Sequence, residues 1–362
     1  MARTPNLPTP DFTFDPDAPG ACVAGVRPYR NHSYRLEADT SSSKFIVHNY
    51  GHGGAGITLS WGCAAKVADL VRQRVAASHD TRAAVLGAGV MGLTAATRLL
   101  DLGLNVTIYS DRRPADTTSA KAGGQWAVSV VEYQGKQQEL ADIVRTAYTT
   151  FKAGGEAFGV YPRPNYFATR SHNLEIVLQL APGLIPPPVR LARLPFEGHT
   201  GPGYEYQTLL IVPPVFLAKL ESDLRARGAV FAPLRKFASR SDILSSVAED
   251  LIVNCTGLGS MTLFSDTKML PIKGQLAMLP PQPALQYLYG KNGYMFPRSD
   301  HVVIGGTFEE GVNDETPDKA VCRDLVRHIA SLFGKAPAAP LADIHIHHPD
   351  NAPVVDPALP TV

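Results

Sequence analysis

The sequence predicts an α/β protein in two parts: a Rossmann-type nucleotide-binding domain, with helices on a parallel sheet, and a second domain on a mixed sheet. Three observations carry this reading. Gly87-Ala88-Gly89-Val90-Met91-Gly92 follows a strand pattern and opens a helical one. Strand and helix patterns alternate from residue 43 to residue 109, as parallel crossovers require. From 270 to 310, short strand patterns are separated instead by Gly and Pro. A chain of 362 residues can hold two cores, or one discontinuous domain interleaved with another.

In chain order, the opening segment to Gly20 is rich in Pro and Asp and lacks the basic start and apolar run of a secretory signal. It reads as an exposed tail or a surface strap. Strand patterns at 24–36 and 43–48 follow, the second delivering the loop Gly51-His52-Gly53-Gly54-Ala55-Gly56-Ile57-Thr58. A helical period starts at Gly62 and runs through Ala64, Val67, Ala68 and Val71, and a polar stretch hands over to a strand at Ala83–Leu86. The helix from Met91 closes at Gly103, before a strand at Asn105–Tyr109. Beyond Trp126 helices are expected to about Phe158, then a Pro- and Gly-punctuated stretch to Gly203 with edge strands. A helix at 214–227, buried strands at 229–231 and 251–255, and an amphipathic helix at 319–333 complete the pattern.

A net charge of +1 without basic or acidic runs gives no electrostatic footprint for nucleic acid or an anionic membrane. No apolar stretch is long enough to span a bilayer as a helix. Cys22, Cys63, Cys255 and Cys322 lack the close spacing of a zinc site or a disulfide framework. They read as reduced thiols, with the cytoplasm as the expected location.

The chemistry begins at the second glycine motif. Gly87 can make the tight turn, Gly89 admits a pyrophosphate close to the backbone, and Gly92 lets helix and sheet pack closely. Ala88, Val90 and Met91 complete the turn, and the helix start offers unpaired N–H groups to phosphate. Asp111, 19 residues beyond Gly92, stands where an acidic side chain accepts hydrogen bonds from a ribose. This fingerprint alone does not separate NAD from FAD.

The remaining motifs resemble the D-amino-acid oxidase family, including its glycine oxidase and D-aspartate oxidase relatives. Asp111-Arg112, Thr117-Thr118-Ser119 and Gly123-Gly124-Gln125-Trp126 look like that family's ribose and flavin contacts, as does the strand-end turn Thr256-Gly257. Lys273-Gly274-Gln275, Gly293-Tyr294 and Gly305-Gly306-Thr307 resemble the strands over the flavin face. The loop Gly53-Gly54-Ala55-Gly56-Ile57-Thr58 and the strand with Arg27 resemble the family's C-terminal part, placed here at the front. The resemblance therefore implies a D-amino-acid oxidase-like fold in circularly permuted order: a tail at 1–22, a C-terminal-equivalent segment at 23–80, the Rossmann start at 81–135, substrate-domain parts at 136–204 and 266–345, a nucleotide-domain return at 205–265 and a tail at 346–362.

It further implies FAD as cofactor and no metal. The activity implied is oxidative deamination of a small D-amino acid: hydride passes to flavin N5, the imino acid hydrolyses to a 2-keto acid and ammonia, and molecular oxygen is reduced to hydrogen peroxide. A homodimer is possible. Arg27 would hold the substrate carboxylate with its planar two-pronged donor, and Tyr294 would add a hydrogen bond. The N–H groups of the Gly51–Thr58 loop would face the flavin ring. His48 and His52 are given no catalytic role.

Two departures from the family pattern stand out. Gly290 occupies the place of a lid tyrosine, with Tyr287 or Tyr289 as substitutes, and Ala55 stands where an aromatic is common. Gly290 motivates an alternative of glycine, an N-alkyl amino acid or a pathway-specific amine as substrate. A flavin- or NAD-binding protein without oxidase turnover is a third reading. His345 and His347 alternate as on a strand with His348 adjacent, without a carboxylate or cysteine at ligand spacing in the immediate segment.

Overall fold

The computed structural model describes residues 6–78, 81–197, 199 and 201–337. The histidine cluster at 345–348, and with it the 346–362 tail, lies outside the described residues. In chain order the strands and first helices are β1 (Cys22–Arg30), β2 (Arg35–Asp39), β3 (Phe45–Tyr50), α1 (Gly56–Ser78), β4 (Arg82–Leu86), α2 (Val90–Asp101), β5 (Asn105–Tyr109), α3 (Gln137–Gly154), β6 (Val160–Phe167), α4 (His172–Leu180) and β7 (Val189–Leu191). Then come β8 (Gly203–Ile211), α5 (Pro213–Ala226), β9 (Val230–Phe231), α6 (Arg240–Ser246), β10 (Leu251–Asn254), α7 (Ser260–Leu263), β11 (Met269–Leu279), β12 (Leu288–Gly290), β13 (Tyr294–Pro297), β14 (Val302–Gly305), β15 (Glu309–Glu310) and α8 (Lys319–Leu332).

Two sheets organise these elements. The first has six strands in the order β2-β3-β10-β4-β5-β9, parallel from β3 to β9. The second has nine, β1-β11-β14-β13-β12-β6-β8-β7, with β15 on β11, and is mixed. The front of the chain feeds both: β1 joins the mixed sheet, and β3 lies beside β10 in the parallel one. Strand β8 also belongs to the mixed sheet, so the change-over anticipated at residue 205 falls after Ile211.

Several elements differ from the sequence pattern. Helix α1 starts at Gly56, not Gly62, because Ala55 already accepts the first helical bond from Leu59 N. Residues 127–136 are irregular and α3 begins only at Gln137, as the chain is held in register by bridges such as Ser33–Tyr133. In the Pro- and Gly-punctuated stretch, β7 is the expected edge strand of the mixed sheet, while β6 before it is interior, paired on both sides. Strand β9 is a two-residue edge with Val230 exposed. The front segment straps down: Leu7 N donates to Pro195 O, Tyr287 Oη donates to Pro8 O, and Phe12 packs on Phe333.

Helix α1 crosses α3 so closely that a Cβ at Gly62 would come within 2.1 Å of Ile143 O. That contact joins the largest core, which runs from the parallel sheet into α3, α4 and α5. A second core lies between α8 and the outer face of the mixed sheet, where Asp318 caps α8 at Ala320 N and Val321 N.

Two fully enclosed histidines link this packing to pH. His48 Nδ1 accepts from Asn254 Nδ2 at 3.0 Å and its Nε2 faces Asp39 at 3.4 Å, while His52 lies 3.4 Å from Cys63 Sγ and stacks on Tyr34. Burial, reinforced by Arg35, pushes His48 down to about 4; burial with Lys136 pushes His52 to about 3. Both are neutral at pH 7. Unfolding frees them to bind protons near 6.5, so stability is full above pH 6.5 and falls as pH drops from there through about 4 and 3. At about 1.4 kcal/mol per unit the two together are worth several kcal/mol. The melting temperature should therefore be flat above pH 6.5 and fall steadily below it, and His52→Gln should flatten the fall; a level profile from 6.5 to 4 refutes the assignment.

Candidate functional site

The two glycine stretches leave parallel strands β3 and β4 at the same sheet edge, with β10 between them. Strand β10 pairs with β3 on one side and β4 on the other, aligning His48, Asn254 and Leu86. With one strand between them, the stretches start about 10 Å apart. This is the crevice outside the carboxyl ends of parallel strands, where such sheets bind ligands.

At the second stretch, Gly87 has φ +108° and a Cβ there would lie 2.5 Å from Cys255 O. A Cβ at Gly92 would lie 1.9 Å from Gly87 O, so the third glycine is what lets α2 start against the turn. Gly89 is the N-cap of α2 with no side-chain cap, and Ser119 Oγ accepts from Val90 N at 3.0 Å. Asp111 stands exposed just past β5 with Arg112 Nε 3.5 Å away. A helix start with one first-turn amide taken by Ser119, a turn whose glycines leave no room for side chains and an acidic group beyond the second strand fit a dinucleotide such as FAD. Gly87–Gly92, Asp111 and Ser119 would hold its phosphate and ribose parts.

The first stretch differs in one respect from the expectation. Gly53 N donates to Pro28 O, Gly54 N to Val130 O and Ala55 N to His52 O, so these three amides are spent within the protein. Gly53 takes φ +51° with Val130 O where a Cβ would sit. The loop thus welds β1 to the 129–130 segment. The candidate donors move to Gly56, Ile57 and Thr58, whose first-turn amides have no intrahelical acceptor; the hydroxyl of Thr58 donates to Ala127 O.

One face of the mixed sheet gathers the rest. Register places Arg27 and Gly25 on β1, Gly274 and Leu276 on β11, Gly305 on β14, Tyr294 and Phe296 on β13, and Leu288 on β12 on the same side. Arg27 Nη1 donates to Lys273 O at 3.3 Å and to Thr307 O at 3.1 Å. Its guanidinium lies flat over Gly274, where a Cβ would meet it at 2.4 Å. No carboxylate lies within ion-pair distance of Arg27 among the described residues. Burial lowers its pKa from the usual arginine value, opposed by Tyr294 and Glu309. A half-buried guanidinium without a carboxylate partner is an anion receptor.

The Tyr294 ring stacks on Phe296, centroids 4.2 Å apart, and its hydroxyl lies over Gly305 and Gly306. Burial raises its pKa, with Arg27 and Arg298 opposing, so the phenol keeps its proton as a donor. The loop carrying Thr117, Thr118, Ser119, Gly123, Gly124, Gln125 and Trp126 packs on this same face. Gly25 approaches Thr118 and Lys121, Gly123 approaches Tyr294 and Phe296, and Arg298 donates to Ala122 O. Gly124 N–Cα geometry is left-handed, and its carbonyl accepts from Ile211 N; Gln125 bridges to Leu210 and Trp126 is fully buried. Thr256 binds Asn254 Oδ1 and Gly257 faces Pro28, beside Arg27 in sequence.

Tyr287 and Tyr289 do not reach this face. Both are buried on the opposite side, in the core under α8, where Tyr289 packs on Phe196 and Phe333. Tyr289 on β12 and Tyr287 just before that strand both point away from the site into this core, so neither can be a lid. At Gly290, on the site side, a Cβ would meet the Phe167 ring at 2.5 Å. Phe167, Lys121 and Glu315 were not singled out by the sequence, whereas Phe296 belongs to the strand motif around Tyr294 that resembles the flavin-face strands.

Comparison with known proteins agrees with this architecture. A family model, DAO, described as FAD dependent oxidoreductase, matches residues 82–361. A D-amino-acid oxidase of Rubrobacter xylanophilus is 29% identical over 265 residues, 69% of this chain and 77% of its own. The human D-aspartate oxidase is 26% identical over 264 residues, 69% and 75% of the two chains. Among solved structures, glycine oxidase from Geobacillus kaustophilus superposes with a TM-score of 0.54 at 18% identity, covering 69% of this chain and 78% of that one.

Proposed function

Since the chain belongs to the DAO family of FAD-dependent oxidoreductases, we propose that it is an oxidase of a small D-amino acid, held by Arg27 and Tyr294. The observation that carries this is the half-buried Arg27 guanidinium, fixed by two main-chain carbonyls, lacking a carboxylate and facing a protonated phenol. FAD, when bound, supplies the hydride acceptor for the Cα–H bond. The protein's part is orientation. Arg27 binds the substrate carboxylate with paired N–H groups, Tyr294 donates to the same group, and the substrate enters chemistry with a neutral amine whose proton has gone to water. The imino acid product leaves to hydrolyse to a 2-keto acid and ammonia, with molecular oxygen as the final acceptor.

The same reading includes a circularly permuted order. It is supported by the family match beginning at residue 82 and by the residues before it supplying β1, β3 and α1 to the two sheets. The Phe167 ring against Gly290 favours a second reading, a substrate as small as glycine, by crowding the wall beside Tyr294.

The purified yellow protein should bleach anaerobically with D-alanine and not with L-alanine. Bleaching by glycine or an N-methyl amino acid alone moves the assignment to the second reading, and no response across a D-amino-acid panel defeats the first. Tyr294→Phe should raise KM about 10- to 100-fold, the worth of one hydrogen bond to a charged group, with a smaller change in kcat. An unchanged KM removes Tyr294 from the carboxylate site.

A further inference from the structure

One segment of the mixed sheet reaches across to the parallel one. From Thr307 to Asp318 the chain is tied down to β11: Thr307 Oγ1 accepts from Gln275 N, Glu309 accepts from Gln275 Nε2, and Asp318 N donates to Gln275 Oε1. The buried ammonium of Lys273 donates to Asp314 Oδ2 at 2.9 Å and to Thr316 O at 2.7 Å. It thereby grips the residues on both sides of Glu315. Glu315 itself points away from β11, toward the segment after β5. Its Oε1 accepts from Arg112 Nη1 at 3.0 Å and its Oε2 from Lys121 Nζ at 2.6 Å.

Arg112 follows Asp111 at the end of β5, and Lys121 closes the turn whose Ser119 faces Val90 N at the start of α2. Glu315 therefore bridges the two segments that carry the candidate ribose and phosphate-turn residues. Burial would raise its carboxyl, yet Lys121 and Arg112 outweigh this and hold it below the usual range. The carboxylate is charged whenever the protein is folded near neutral pH.

We propose that Glu315 is the clasp that retains the cofactor, fastening the 307–318 strap across the nucleotide end of the FAD site, with Lys273 as the residue that aims it. The inference rests on the flavoprotein reading and adds a residue to it. The other end of the strap is Thr307, whose carbonyl holds Arg27. Opening the clasp thus frees the strap that also braces the substrate arginine.

The test is FAD affinity and release, independent of turnover. Apoprotein titrated with FAD at low salt, followed by flavin fluorescence quenching, should show Kd and dissociation rate both raised about five- to tenfold by Glu315→Gln. The difference should shrink as salt screens the two ion pairs. Lys273→Met should act in the same direction, and Lys319→Gln, which breaks only the exposed pair with Asp17, should leave Kd unchanged. If Glu315→Gln does not fold, Lys121→Met removes half of the bridge and is expected to raise Kd as well. Wild-type Kd in Glu315→Gln, or tighter binding, overturns the clasp alone. A wild-type protein that binds no FAD overturns both the clasp and the reading beneath it.

Discussion

Replacing Arg27 by Ala should reduce kcat/KM for the best D-amino acid by about 10²- to 10³-fold, mostly through KM, while the flavin stays bound. Truncating one partner of a desolvated charge pair costs about 2–5 kcal/mol, and Arg27 on the site face is held by main-chain carbonyls and not by a carboxylate among the described residues. Arg27→Lys should recover little. A lysine lacks the planar fork that lies over Gly274, and its single ammonium cannot both keep the bonds to Lys273 O and Thr307 O and meet a carboxylate two-pronged. Steady-state kinetics with a flavin spectrum recorded on the same preparation decide the matter. A variant that keeps wild-type KM takes Arg27 out of substrate binding. One that loses its colour instead makes the residue structural.

Gly92→Ala should give a colourless protein, with FAD affinity lost by about 100-fold or more and a lowered melting temperature. The added methyl would sit 1.9 Å from Gly87 O, a distance no real carbon occupies, so α2 must back away from β4 or the turn must open. Either movement withdraws the helix start from the crevice. Gly103→Ala is the matched control for stability, because Gly103 has open space around it and only its φ of +79° to strain. If Gly92→Ala keeps full flavin occupancy at the wild-type melting temperature, the turn is not the phosphate cradle.

Both predictions start from residues legible in the sequence. The spacing of Gly87, Gly89 and Gly92 ahead of a helical pattern encodes a local geometry, as does Asp111 past the next strand, so reading them needs only short-range rules. Arg27 and Tyr294 were legible by resemblance, and the fold brings them to one face through registers along β1, β11, β14 and β13. The loop at Gly53–Ala55 shows the limit of such reading. Its glycines were evident, but the destination of their N–H groups was not, because Pro28 and Val130 arrive from other segments.

The lid tyrosines show the same limit. Tyr287 and Tyr289 lie at plausible distances along the chain from Tyr294, yet the fold buries Tyr289 on β12 and Tyr287 just before it in the core under α8. Glu315 carries no motif at all; its meaning comes from Lys273 gripping Asp314 and Thr316 and from the two cations across the cleft.

By itself, then, the amino-acid order determined the α/β class and the nucleotide turn, since each is a property of neighbours within a few positions, while Arg27 and Tyr294 came forward as carboxylate ligands only through resemblance. Tertiary structure alone decided which side of the mixed sheet each tyrosine faces, which loop amides remain free and which carboxylate crosses between the sheets. Those depend on strand register and on contacts between segments more than 200 residues apart, as between Arg112 and Glu315 or Arg27 and Thr307, and pairings at that range follow from packing the whole chain at once.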